Sequence, residues 1–188
     1  MAVTEATRAR SDARRNRERL VSAARELFAS AGLDVPAREV ARSAGVGAGT
    51  LYRHFPTRDD LVDAVLEDAC EELVAIVEAA LAETDPWRGF TRYVEDALVL
   101  YARNRGLKDA IEAQTQGCER IRRLGSRMRP LTAKIVARAH DAGVLRRDFA
   151  VGDIKVVLAA SDRAAEVDPR LSQRYLGFVL DGLRSEAS

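Results

Sequence analysis

Apolar residues recur at three- and four-residue intervals through most of this 188-residue chain, the spacing of one face of an α-helix. Leu20, Ala23, Leu27, Phe28 and Ala31 make the first stripe, opposed by arginine and glutamate, and predict a helix from Ser11 or Asp12 to Gly32. Val40, Ala41 and Ala44 give a short second helix, after which Gly45 supplies the permissive backbone of a tight turn. Beyond the turn, Val46 and Leu51 are apolar anchors, and a third helix spans Ala48 to His54. From Thr57 to Ala82 a longer stripe, running from Leu61 and Val62 to Val77 and Ala80, predicts one helix closed by Asp85 and Pro86. Trp87 to Arg103 is the next, with an apolar face broad enough for burial on two sides. Leu107 to Gln116 follows, then Cys118 to Ala142, which Pro130 is expected to kink or to split after Arg129. The segment VLRRDFAVGD reads as a loop, Ile154 to Ala165 as a helix, and Pro169 to Ser185 as the last, begun by Asp168 and Pro169. No strand alternation and no repeat period are present, so the expected fold is all-α with about nine helices.

Two short helices meeting at a glycine turn form a helix-turn-helix, and the second of them carries the chemistry. Gly47, Ala48 and Gly49 are too small to hold a duplex at a distance, while Thr50, Tyr52, Arg53 and His54 offer hydroxyl, phenol, guanidinium and imidazole groups. A recognition helix enters the major groove by its N-terminus, so the first turn would face base edges and the flanks phosphates. Arg38, on the exposed side of the preceding helix, is a further candidate contact. Thr57 and Asp60 have the spacing of a shortened capping box, and the helix they begin would present its N-terminus, with Thr57 and Arg58, to phosphate.

The run GVGAGTLYRHFPTRDDL, preceded by RERLVSAARELFASAG, resembles the N-terminal domain of TetR/AcrR-type transcriptional regulators over about residues 14 to 66. One departure is Val35 and Pro36 ahead of the second helix, where a hydroxyl residue commonly caps; Val35 cannot. The resemblance implies a DNA-binding head at residues 1–56 with a basic N-terminal arm, and a body at 57–188 for ligand binding and dimerisation. It implies a homodimer on a palindromic double-stranded DNA operator, released by a small-molecule effector. For the effector it points to the middle helices, where Trp87, Tyr93, Tyr101, Ile111, Gln114, Thr115, Cys118 and Met128 stand; Gln114, Thr115 and Gln116 are the best polar candidates. For the dimer it points to the last two helices, with Ile154, Val157, Leu158 and Ser161 on one and Leu171, Tyr175, Phe178, Val179 and Gly182 on the other. Closure of the protomer's own core is the plain alternative for those stripes.

Net charge is only +1, but it is unevenly placed. Residues 1 to 58 hold eleven arginines against six acids, whereas the remainder is net acidic, as attraction of the head alone to phosphate would require. Arg14, Arg15 and Arg17, in the arm and the start of the first helix, could touch the backbone or the minor groove, or simply be solvated. Cys70 and Cys118 are too few for a disulfide framework or a thiolate metal site and suit a reducing cytoplasm. The longest wholly apolar run, Ala97 to Ala102, is far too short for a membrane span. With His54 in the recognition helix, His140 is the one histidine left, and no nucleophile motif or metal-ligand spacing surrounds it. An enzyme is therefore not expected, nor is a cofactor. A helical adaptor that binds only protein is the alternative to a DNA-binding regulator.

Overall fold

The computed structural model describes the backbone of residues 2–112 and 118–185, and within these all side chains except those of residues 2–10, Glu112, Glu166 and Pro169. Nine helices occur among the described residues: α1 (Ala2–Ala31), α2 (Ala37–Ser43), α3 (Ala48–His54), α4 (Arg58–Ala82), α5 (Pro86–Arg103), α6 (Arg105–Glu112), α7 (Glu119–Asp141), α8 (Asp153–Val167) and α9 (Pro169–Leu183). Among those residues the only bridge pairing is an isolated antiparallel contact between Leu145 and Arg184.

Local chemistry explains the boundaries. Helix α1 starts at Ala2, not at Ser11: no glycine or proline interrupts residues 2 to 19, and alanine and arginine are strong helix formers. The expected arm is therefore a continuation of α1. Gly32 ends the helix at φ 80°, and Gly45 makes the α2–α3 turn at φ 64°, left-handed conformations that side chains disfavour. Pro36 is the residue before α2, and no side chain caps that helix, in keeping with the Val35–Pro36 departure. At α4 the capping box forms in full: Thr57 donates its amide to Asp60 Oδ2 at 2.9 Å, and the Asp60 amide donates to Thr57 Oγ1 at 3.1 Å. Asp85 receives the amides of Trp87 and Arg88 at the head of α5, and Asp168 that of Arg170 ahead of Pro169 in α9. Pro130 lies inside an unsplit α7.

The chain divides into two compact units, residues 1–70 with 103–122 and residues 71–102 with 123–188. A cut at Thr57 thus falls where α4 begins, while the packing groups the first half of α4, and α6, with the helix-turn-helix. The core of the first unit contains Leu20, Ala24, Phe28, Val40, Ala41, Leu51, Phe55, Leu61, Val62, Leu66 and Leu107. Here α1 packs on α2, α3 and α6. At the α6 contact the backbones approach so closely that a Cβ on Gly106 would lie 3.0 Å from Phe28, and the Asp109 carboxylate receives the Leu33 amide just past α1 at 3.1 Å. The second unit is built on Val74, Val77, Phe90, Val94, Ala97, Leu100, Ile135, Val136, Leu145 and Leu158. Its α8 and α9 pair along their length.

Candidate nucleic-acid interface

Leu51 is the buried residue of α3 and seats it against the first unit's core, so the first turn, Tyr52 and Arg53 face outward. Gly47, Ala48 and Gly49 are exposed, as are Tyr52, at 57% of its surface, and Arg53, with Thr50 half-buried beside them. A Cβ added at Gly47 or Gly49 would meet nothing within 4 Å, and neither glycine has a positive φ. Nothing inside the protein therefore demands glycine at either position. Arg38 is exposed on α2.

Three expected contacts also have surroundings within the protein itself. The hydroxyl of Thr57 bonds Asp60 Oδ2 at 2.7 Å, so both its donors serve the cap. These bonds, the one from the hydroxyl foremost, hold the Asp60 carboxyl below its usual range. With Asp59 and Asp60 in its first turn, the α4 N-terminus is already neutralised by carboxylates, which weakens it as a phosphate seat. Arg58 donates to the Val35 carbonyl at 3.3 Å and so ties the start of α4 to the entry of α2. In His54, Nε2 is buried with no hydrogen-bond partner among the described residues.

The residues expected to hold an effector belong to both units. Trp87 stacks on Phe90 at 5.7 Å between centroids, Phe90 meets Phe149 edge-on at 5.4 Å, and the Arg184 guanidinium covers Trp87 at 5.7 Å. Trp87 is thus part of an aromatic stack joining α5 to the loop before α8 and to the end of α9. In the same unit Tyr93 is buried, which pushes its phenol upward, and the neighbouring Tyr101 adds to that shift. Met128 is half-buried on α7. Ile111, half-buried, and Cys118, fully buried, belong to the other unit. The Cys118 thiol donates to Asp63, and burial followed by that bond raises it to about 12. Gln114, Thr115 and Gln116 lie outside the described residues.

On α8 the expected interface residues Ile154, Val157, Leu158 and Ser161 are buried within the single chain, and α8 turns this face to α9 and the unit's core. Their burial is what closure of the protomer's own core, the plain alternative, requires. The other stripe differs: Leu171, Tyr175, Phe178 and Gly182 on α9 are exposed, Phe178 by 63%, and Val179 is half-buried. Sequence reasoning missed Val156 and Val167 on α8, exposed by 66% and 80%. With Ala160 and Ala164 they keep helical spacing on the opposite side of α8, which was the available signal.

Comparison with known proteins agrees with this geometry. Residues 20–65 match the family of bacterial regulatory proteins designated tetR, and residues 85–185 match the C-terminal domain of SbtR-like transcriptional regulators. An HTH-type transcriptional regulator of Staphylococcus aureus (strain MRSA252) is 32% identical over 81 residues, 42% of each protein, so this chain spans about two fifths of that curated relative. A TetR transcription regulatory protein from Mycobacterium vanbaalenii is similar at 34% identity and TM-score 0.56, over 94% of this chain and 99% of the other. A TetR transcriptional regulator from Streptomyces coelicolor is similar at 30% identity and TM-score 0.56, over 91% and 99%. Two matched segments that together take in both units, joined to an outward-facing α3 after a glycine turn, lead to one conclusion: the chain belongs to the TetR family of bacterial regulatory proteins.

Proposed function

We propose that the protein is a homodimeric repressor of transcription that grips a palindromic operator through α3 and releases it when a small molecule binds the body. The observation that carries this reading is the first turn of α3, where exposed glycines with open space around them leave room for the edges of bases. Tyr52 and Arg53 flank that turn and supply phosphate contacts, Thr50 stands at its rim, and Arg38 extends the surface from α2. Two such heads are joined through the exposed apolar stripe of α9 with Val156 and Val167 of α8. Isologous pairing of two protomers matches the two-fold symmetry of a palindrome, with recognition helices about 34 to 36 Å apart on successive major grooves. Binding over a promoter excludes polymerase, and an effector shifts the balance by no more than its differential affinity for the two body states. No described helix is long and apolar enough to cross a membrane, and operator DNA places the protein's work in the cytoplasm.

The test is selection of duplexes from a random pool with the purified chain, followed by gel shifts of the winner across a salt series. A symmetric consensus with affinity falling steeply in salt supports the proposal. No retained duplex at low salt, or retention without sequence preference, defeats it and favours the adaptor. Screening for compounds that release the selected duplex then tests the effector step.

A further inference from the structure

The N-terminal stem of α1 has no part in the operator contacts proposed so far. Its first buried side chain among the described ones is Leu20, so residues 2 to 19 extend as helix ahead of the core, a length of about 27 Å at the α-helical rise. That segment holds Arg8, Arg10, Arg14, Arg15, Arg17 and Arg19 against Glu5, Asp12 and Glu18. Arg14 and Arg15 are paired along the helix with Glu18 and Asp12. Arg17 and Arg19 stand differently, with no carboxylate partner among the described residues. Their positions are specific. The Arg17 guanidinium lies over the Phe55 ring, 5.2 Å from its centroid, at the residue where α3 ends. Arg19 Nη2 lies 2.7 Å from the point a Cβ on Gly45 would occupy, over the turn by which the chain enters α3. A guanidinium thus stands at each end of the recognition helix, and neither is neutralised by a described carboxylate.

We propose that Arg17 and Arg19 clamp the DNA phosphates on either side of α3, and that the helical stem of α1 lies along the duplex backbone as a further basic contact. This rests on the operator reading above and adds to it a specific role for the stem. The stem's conformation decides what it can read. An α-helix with side chains is about 10–12 Å across, whereas the B-DNA minor groove is about 6 Å wide. A helical stem cannot enter that groove, so the contacts are to phosphate and carry no sequence information of their own. They add affinity and fix the register of α3 in its groove.

The test uses the full-length chain and the duplex recovered by selection, with affinity measured by fluorescence anisotropy over a salt series. Arg17→Ala and Arg19→Ala are each expected to lower the slope of log K against log salt by about 0.9 per subunit, with affinity at 0.1 M salt about fivefold to tenfold weaker for each phosphate no longer held. Replacing Arg8, Arg10 and Arg14 together by glutamine is expected to lower the slope further and to shorten the footprint. The consensus selected by each variant stays that of the wild type. Arg17→Lys and Arg19→Lys restore most of the slope, while Arg19→Met, which keeps the stem over the Gly45 turn, does not; this separates removal of charge from a disturbed fold. Lys134→Ala, exposed on α7 of the other unit, leaves the slope unchanged. Wild-type slopes in the arginine variants overturn the proposal and leave the operator reading standing. Altered preference for A·T flanks in the triple variant overturns it too, because a minor-groove arm would then be reading sequence. Failure of the wild type to retain any duplex overturns both.

Discussion

Helices α3 and α9 both face outward, yet they face different things. The exposed surface of α3 is mostly small, polar and basic, with Gly47, Ala48, Gly49, Tyr52 and Arg53, and its one buried residue is the apolar Leu51. The exposed surface of α9 carries Leu171, Tyr175 and Phe178. A helix that shows hydroxyl, guanidinium and bare backbone suits a hydrated polyanion, because such groups keep hydrogen bonds on contact. A helix that shows aromatic and branched side chains suits a dry partner, since exposed apolar clusters mark association sites. Outward orientation is thus common to both, and the chemistry of the exposed face sets them apart.

The largest expected effect attacks the α9 side of this contrast. Phe178→Asp puts a charge in the centre of the apolar stripe; sedimentation should show monomers, and operator affinity should fall by about 100-fold or more once the two half-sites are no longer joined. A dimer that survives moves the interface elsewhere. Next, Gly49→Leu separates function from stability on α3. Because a Cβ there meets open space and glycine is a poor helix former, the variant should melt at or above the wild-type temperature. Its operator affinity should nonetheless fall by about 10- to 100-fold, as a blocked base-edge contact implies. Equal loss of stability and binding would mean that the glycine serves the fold.

A smaller effect concerns the seam just after α3. The folded Asp60 carboxyl is held below its unfolded value by Thr57, so its stabilisation is fully present above the unfolded value and is lost as pH falls through the folded one. Thermal melts from about pH 6 down to about pH 3, the range in which a carboxylate protonates, should show a decline that is shallower in Asp60→Ala. Equal declines would mean that the cap contributes nothing to stability. Smallest of all, a thiol reagent at about pH 8 should label neither Cys70 nor Cys118 in the folded protein and both after denaturation. Both are buried, which shields them from the reagent, and Cys118 is raised to about 12, so little of its thiolate exists to react.

The head was legible because its signals are local. A glycine turn, a small-residue first turn and a Thr57–Asp60 pair each act within a few residues, and α3 runs from Ala48 to His54 as its sequence predicts. The body was less so, because an apolar stripe reports burial without naming what covers it. On α8 the residues 154, 157, 158 and 161 and the residues 156 and 167 are equally apolar or small, and the tertiary packing decides which set is hidden. Trp87 shows the same limit: Arg184, which covers it, comes from the far end of α9, and no spacing rule reaches that far. For His54 the limit is different, since a ring nitrogen's direction depends on rotamer and neighbours, which residue type leaves open.

Helices α2 and α3 have seven residues each, and α2 has no side-chain cap. Segments so short do not persist in water by themselves, where isolated helices below about 12–15 residues are marginal. Their shape is lent by Leu20, Phe28, Val40, Leu51 and Phe55 beneath them. The surface proposed to read the groove consequently has no independent existence: on that proposal a nascent, heat-loosened or clipped chain that lacks this apolar bed loses its grip on DNA in the same step, so partly assembled copies cannot occupy a site that intact ones need.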